Sequence, residues 1–220
     1  MPIQRYNTEF TRMNADELAP WRDVPPAIVG DCMNRSQTMA ARIKPISPGI
    51  TLTGQARTVT AMVGDNGAMH VAIGLAEPGD ILVVDSRAHV DTAVWGGIMT
   101  RAAMKRGIAG LVIDGAVRDV AEIRELGFPV FAAGAVPAGP SKGFGGVIDG
   151  AISCAGCPVH PGDLVIGDDD GVAIVPLARE KELLAASQAK IAQEEATMAE
   201  IEAGELTYKR LGLEDPEIIG

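Results

Sequence analysis

Three apolar runs of strand length, separated by segments of helical character, constrain this chain most. They are "ILVV" at Ile81–Val84, "AGLVI" at Ala109–Ile113 and "FPVFAAG" from Phe128. Before them, a helix is expected over about Gly67–Ala76. Between them, "DTAVWGGIMTRAAMKRG" has apolar residues at helical spacing and ends at Gly107, and Arg118–Leu126 reads as a short helix. Helix–strand alternation of this kind predicts an α/β core with parallel pairing.

The flanks extend the pattern. Asn14–Trp21 and Val24–Met33 read as short helices, with Pro25 and Pro26 where a first turn tolerates them. "GQARTVTAMV" has strand character through Val63. From Gly145 onward the chain is rich in Gly and β-formers without helical period, which predicts hairpins and a barrel-like or sandwich layer. "LAREKELLAASQAKIAQEEATMAEIEAGE" then reads as one helix of about 27 residues, stopped at Gly204. It is polar on every side, so it is expected to gain little from its own core and to lie across a neighbouring subunit. The expected division is an α/β domain over 1–176 and a helical extension over 177–220.

Composition removes several function classes. A net charge of −10 and only 4% aromatic residues argue against nucleic acid as the ligand. No apolar run approaches the roughly 20 residues of a membrane span, and the first residues lack a signal-peptide core. The expectation is a soluble, cytoplasmic protein. Three cysteines are too few and too unevenly placed for a disulfide framework.

Candidate chemistry begins at "DGAVRDVAE", where Arg118 and Asp119 stand together at a strand exit. One reading makes Asp119 a helix-start charge beside a solvated arginine. The other uses the carboxyl end of a strand as a ligand site, with Asp119 holding a hard divalent cation and Arg118 forking onto a carboxylate or enolate. Gly96 and Gly97 could present free amides to an anion at a helix start. Asp168, Asp169 and Asp170 lack calcium-loop spacing and read as a hairpin turn. Cys154, Cys157 and His160 lack a second cysteine pair, so the cysteines read as small buried side chains.

Several pieces occur in a specific order: "GDN" at Gly64–Asn66, "PGDILVVD", "WGGIM" followed by "RDVAE", "FPVFAAGAVPAGPSKG" and "HPGDLVIGDDDGVAIVP". Together the chain resembles the RraA-like family, which includes the 4-hydroxy-4-methyl-2-oxoglutarate/4-carboxy-4-hydroxy-2-oxoadipate aldolases. The resemblance runs from about residue 20 to 205. It implies an α/β swivelling-domain fold with a mixed sheet, assembled as trimers or hexamers with clefts between subunits. It also implies a magnesium- or manganese-dependent lyase that releases pyruvate from a 4-hydroxy-2-oxo acid and decarboxylates oxaloacetate. By the same resemblance Asp119 matches the metal-ligating aspartate and Arg118 the substrate-contacting arginine. Asn66 and the backbone of Gly96, Gly97, Ile98 and Met99 match substrate contacts, and Glu122 matches an acid behind the metal. Glu194 or Glu195 matches a glutamate that the C-terminal helix carries into a neighbour's cleft. Gly97 departs from the pattern, because aldolases of the family commonly have an acidic residue there. The alternatives are a decarboxylase alone, or a regulator of ribonuclease E that acts by surface contact.

Overall fold

The computed structural model describes residues 2–219. Its first part runs β1 (Ile3–Arg5), α1 (Ala15–Leu18), α2 (Pro26–Cys32), β2 (Lys44–Pro45) and β3 (Leu52–Ala61). The central part is α3 (Gly67–Leu75), β4 (Asp80–Trp95), α4 (Gly97–Lys105), β5 (Gly110–Val117), α5 (Val120–Leu126) and β6 (Val130–Ala135). Short strands follow: β7 (Gly146–Ile148), β8 (Ile152–Cys154), β9 (Cys157–Val159), β10 (Leu164–Asp168) and β11 (Gly171–Val175). Two helices end the chain, α6 (Glu180–Glu202) and α7 (Thr207–Arg210).

The expected parallel core is present. β3, β4, β5 and β6 lie side by side in parallel, and β2 closes one edge antiparallel to β6. At β3 the mixed sheet branches: β7 pairs with its end, while the β10–β11 hairpin pairs with its start. β8 and β9 form a separate hairpin.

Side-chain alternation explains why the central runs carry no polar residues. On β4, Leu82 and Val84 point into the layer that holds Met69, Ile73, Met99 and Ile123. Ile81 and Val83 point to the other face, against Ile43, Phe131, Cys154 and Val165. A strand covered on both sides has no position left for a polar side chain. Each such buried aliphatic residue is worth roughly 1.5–3 kcal/mol relative to exposure.

Two expectations need correction. The segment "DTAVW" is strand rather than helix: β4 runs through Trp95, and α4 covers only Gly97–Lys105. β-Branched and aromatic residues outweigh the helical spacing there, and β4 stays in register with β5 only through irregularities at Asp85/His89, His89/Ala93 and Ala93/Trp95. The C-terminal helix also has more to do with its own chain than its polarity implies. Leu183 and Ser187 are buried, and Leu183 joins Trp21, Val24, Val29 and Leu164 under α2. Beyond Ile191 the helix is mostly exposed.

The N-terminal segment is tied on by ions. Arg57 bridges two buried carboxylates, Asp80 and Asp149, at 3.1 Å each, while Arg12 reaches Asp80 and Arg5 reaches Asp149, both at 2.7 Å. The Asp168–Asp170 segment is the expected turn, with the Asp168 carboxylate accepting from the Asp170 amide. Cys154 and Cys157 face each other across the β8–β9 hairpin and are buried, as small strand residues. Burial pushes the Cys154 thiol far up and that of Cys157 up to about 12.

Candidate functional site

The irregular end of β4 and the end of β5 together build a cleft of about 190 Å³. Trp95 lies at the last parallel pair, opposite Val117, and the next residues on each strand are Gly96 and Arg118. The Arg118 amide donates to the Trp95 carbonyl at 2.9 Å, so the two exits are locked together. This is the place where α/β sheets hold ligands.

Asp119 has a left-handed backbone, φ 58, which aspartate tolerates better than most residues. It precedes α5 but makes no side-chain cap there. Instead its Oδ2 accepts from the Gly97 amide at 2.9 Å, so it sits at the start of α4. Its Oδ1 has no hydrogen-bond donor among the described residues. The Arg118 Nε lies 3.7 Å from the same carboxylate, with both side chains about two-fifths exposed. Glycines make this approach possible. A Cβ on Gly96 would stand 2.5 Å from Asp119 Oδ2, and one on Gly139 would stand 2.7 Å from the Arg118 guanidinium.

Glu122 lies on the other side of Gly97. A side chain at 97 would run into its carboxylate, which is the first group that such a Cβ would meet. The space left by the absent acidic side chain at 97 is thus filled from α5 by a carboxylate, which Arg101 holds at 2.8 Å.

The remaining wall comes from α3 and the loop after β6. Asn66 is buried; its Nδ2 donates to the Met99 sulfur at 3.3 Å and its Oδ1 has no partner. Gly96, Ile98 and Met99 line the cleft, and the first-turn amides of α4 have no acceptor inside the helix. Of the residues expected from the central part of the chain, Asn66, Gly96, Ile98, Met99, Arg118 and Asp119 line the cleft, whereas Gly97 and Glu122 lie beside it and are not among the lining residues. Glu194 and Glu195 are not among the lining residues; Glu194 lies 3.4 Å from Lys190 on α6, and Glu195 is exposed.

Two titratable lining residues carry no expectation from the sequence, His70 and Lys142. Burial, and then the nearby Lys142 charge, push the His70 imidazole below its usual range, which keeps it neutral near pH 7. The Lys142 ammonium forms no ion pair among the described residues. In a chain of net charge −10, an arginine and an unpaired lysine on one cleft mark a place for an anion.

The donor set also suits a hard cation. Asp119 and Glu122 flank Gly97. Magnesium is commonly held by one or two carboxylates, with water and substrate oxygens completing its shell. A closed protein cage is not provided: no group of three or more His, Cys, Asp or Glu side chains that could hold a metal occurs among the described residues.

Comparison with known proteins shows the family of the chain. A sequence profile described as RraA-like (Aldolase/RraA) matches residues 26–174. A Halalkalibacterium halodurans protein, provisionally named a 4-hydroxy-4-methyl-2-oxoglutarate aldolase, is 36% identical over 85% of this chain and 89% of its own length. The 4-hydroxy-4-methyl-2-oxoglutarate aldolase of Thermus thermophilus is 33% identical over 56% of this chain and 74% of its own. Among solved structures, Streptomyces coelicolor RraAS2, an unusual member of the RNase ES inhibitor RraA protein family, superposes with a TM-score of 0.79. It is 26% identical, covering 86% of this chain and 100% of its own. The RNA-processing inhibitor RraA from Thermus thermophilus superposes with a TM-score of 0.64 at 28% identity, over 70% and 93% of the two chains. This chain therefore belongs to the RraA-like family.

Proposed function

We propose that the chain is a divalent-metal-dependent lyase that cleaves 4-hydroxy-2-oxo acids of the 4-hydroxy-4-methyl-2-oxoglutarate type to release pyruvate, and that it decarboxylates oxaloacetate in the same cleft. The observation that carries this reading is the Arg118–Asp119 pair, pinned to the Gly97 amide and lining one cleft with an unpaired lysine. The names of the relatives point the same way.

Either reaction breaks a carbon–carbon bond and leaves its electrons on the pyruvate fragment as an enolate. Asp119, with Glu122 behind it, would hold a magnesium or manganese ion, which supplies Lewis-acid stabilisation of that negative charge. Arg118 stabilises the same oxygen through its guanidinium donors, and the free amides at the start of α4 take the carboxylate next to the keto group. Asn66 is fixed against Met99 so that its amide borders the reacting end. Lys142, on the wall of the same cleft, takes a second carboxylate on the substrate. Glu122, whose carboxylate occupies the space beside Gly97, and a glutamate from a neighbour's α6, Glu194 or Glu195, are the two candidates for helping to accept the 4-hydroxyl proton.

Asparagine tolerates the left-handed backbone of residue 119, so Asp119→Asn separates chemistry from folding. Its melting temperature is expected to stay close to wild type. Pyruvate release, coupled to lactate dehydrogenase, should fall by about 100-fold or more and should vanish in EDTA for the wild type. Full turnover by Asp119→Asn would rule the assignment out. The likeness to RNase inhibitors supports a second reading, regulation of a ribonuclease by surface contact. It predicts a nuclease complex that forms equally well with Asp119→Asn.

A further inference from the structure

Asp65 is fully buried, and no cationic side chain pairs with it among the described residues. Its carboxylate is satisfied by backbone alone. Oδ1 accepts from the Gly67 amide at 2.9 Å, and Oδ2 accepts from the amides of Gly143 at 2.7 Å and Phe144 at 3.1 Å. Around it the two segments are stitched together: the Ser141 amide donates to the Gly64 carbonyl at 2.8 Å, and the Asn66 amide to the Ser141 carbonyl at 3.2 Å.

These bonds join the start of α3, which carries Asn66 and His70, to the glycine-rich loop that carries Lys142. Gly143, Gly145 and Gly146 all have positive φ, and Ser141 to Phe144 are exposed. Lys142 immediately precedes the two amides that Asp65 holds. A buried carboxylate with three charge-assisted bonds is a rigid anchor, whereas a solvated loop end is not.

We propose that Asp65 is a positioning residue: it clamps the 141–144 loop onto α3 and so sets the reach of Lys142 toward a ligand held by Arg118, which gives the cleft its preference for 2-oxo acids with a second carboxylate. The inference rests on the reading of this cleft as a 2-oxo acid site. Asp65 touches neither substrate nor metal; it acts through Lys142.

The test is ligand binding by the full chain with magnesium, measured by calorimetry with pyruvate (one carboxylate) and 2-oxoglutarate (two). Wild type should bind 2-oxoglutarate more tightly. Asp65→Asn keeps the shape of the side chain but replaces one acceptor oxygen by a donor. It should weaken 2-oxoglutarate by about tenfold and pyruvate by no more than about twofold. Lys142→Met should do the same, and the double variant should lose about tenfold rather than about a hundredfold, because both changes remove one interaction. Equal weakening of both ligands, multiplying effects in the double variant, or no wild-type preference for 2-oxoglutarate would overturn the assignment. Pyruvate release is scored separately: binding that follows the expected pattern without turnover would remove the lyase reading and leave Asp65 in its role. Should Asp65→Asn fail to fold, amide exchange in the wild type decides. Gly67, Gly143 and Phe144 slowing together with 2-oxoglutarate but not with pyruvate upholds the clamp; independent exchange overturns it.

Discussion

Asp119 turns away from the helix it introduces and holds the one across the cleft. A carboxylate one residue before a helix would ordinarily serve that helix's own amides. The left-handed backbone at 119 redirects it to Gly97, so a charge in the usual place for a cap of α5 holds the start of α4 at the cleft instead. The sequence shows an aspartate at a strand exit, but not which helix start it will serve, because that depends on β4 and β5 ending side by side. His70 is less legible still: one turn into α3, it looks like any exposed helix residue until the Lys142 loop returns beside it. Its depressed imidazole gives a direct prediction. A bound dicarboxylate places negative charge near the ring and favours its protonated form, so the pKa should rise on binding. By linkage, affinity then increases as pH falls from above the bound-state value to below the free-state one. Titration of the His70 ring resonance by NMR, with and without 2-oxoglutarate, measures both; a pKa unmoved by the ligand would place His70 outside the anion's field.

The legibility of each element follows from how local its determinants are. β5 and β6 are plain in the sequence because a strand buried on both faces must be apolar throughout. The last five residues of β4 were not, since "DTAVW" matches a helical spacing and only pairing with β5 makes it strand. That extension matters, because it delivers Trp95 and Gly96 to Arg118. Helix α6 teaches a similar lesson. Alanine and charge dominate it, but Leu183 at its start is 1% exposed and packs beneath α2. Leu183→Ala should therefore cost about 2–5 kcal/mol in urea unfolding, with the m-value unchanged, as a cavity opens beside Trp21. Glu195→Ala on the exposed half should change stability by less than about 0.5 kcal/mol. Equal, negligible effects from both changes would mean that α6 does not dock on its own chain.

At the scale of the whole molecule, one chain brings most of a site to one cleft and leaves its rim open. Ile98 at the lip is 81% exposed, an unusual place for an isoleucine beside the charged side chains of the cleft. The outer half of α6 exposes Met198 and Ile201 among its charges. Both features fit the assembly implied by the family resemblance, in which a neighbour's helix covers the cleft and contributes a carboxylate. Nothing within a single sequence could have located such a contact, because Glu194 and Glu195 look like the other glutamates of a helix rich in them. Complementation tests it without a structure of the assembly. Asp119→Asn lacks one half of the site, and a chain with both Glu194→Ala and Glu195→Ala lacks the other. Co-expressed in equal amounts and mixed at random, each cleft draws a functional Arg118–Asp119 half with probability one half, and a functional helix with the same probability. About a quarter of the clefts are then intact, so pyruvate release should recover to about a quarter of wild type although each variant alone is nearly inactive. Recovery on that scale requires the two halves to come from different chains. If each chain instead completed its own cleft, every site in the mixture would be defective in one half or the other, and no activity would return.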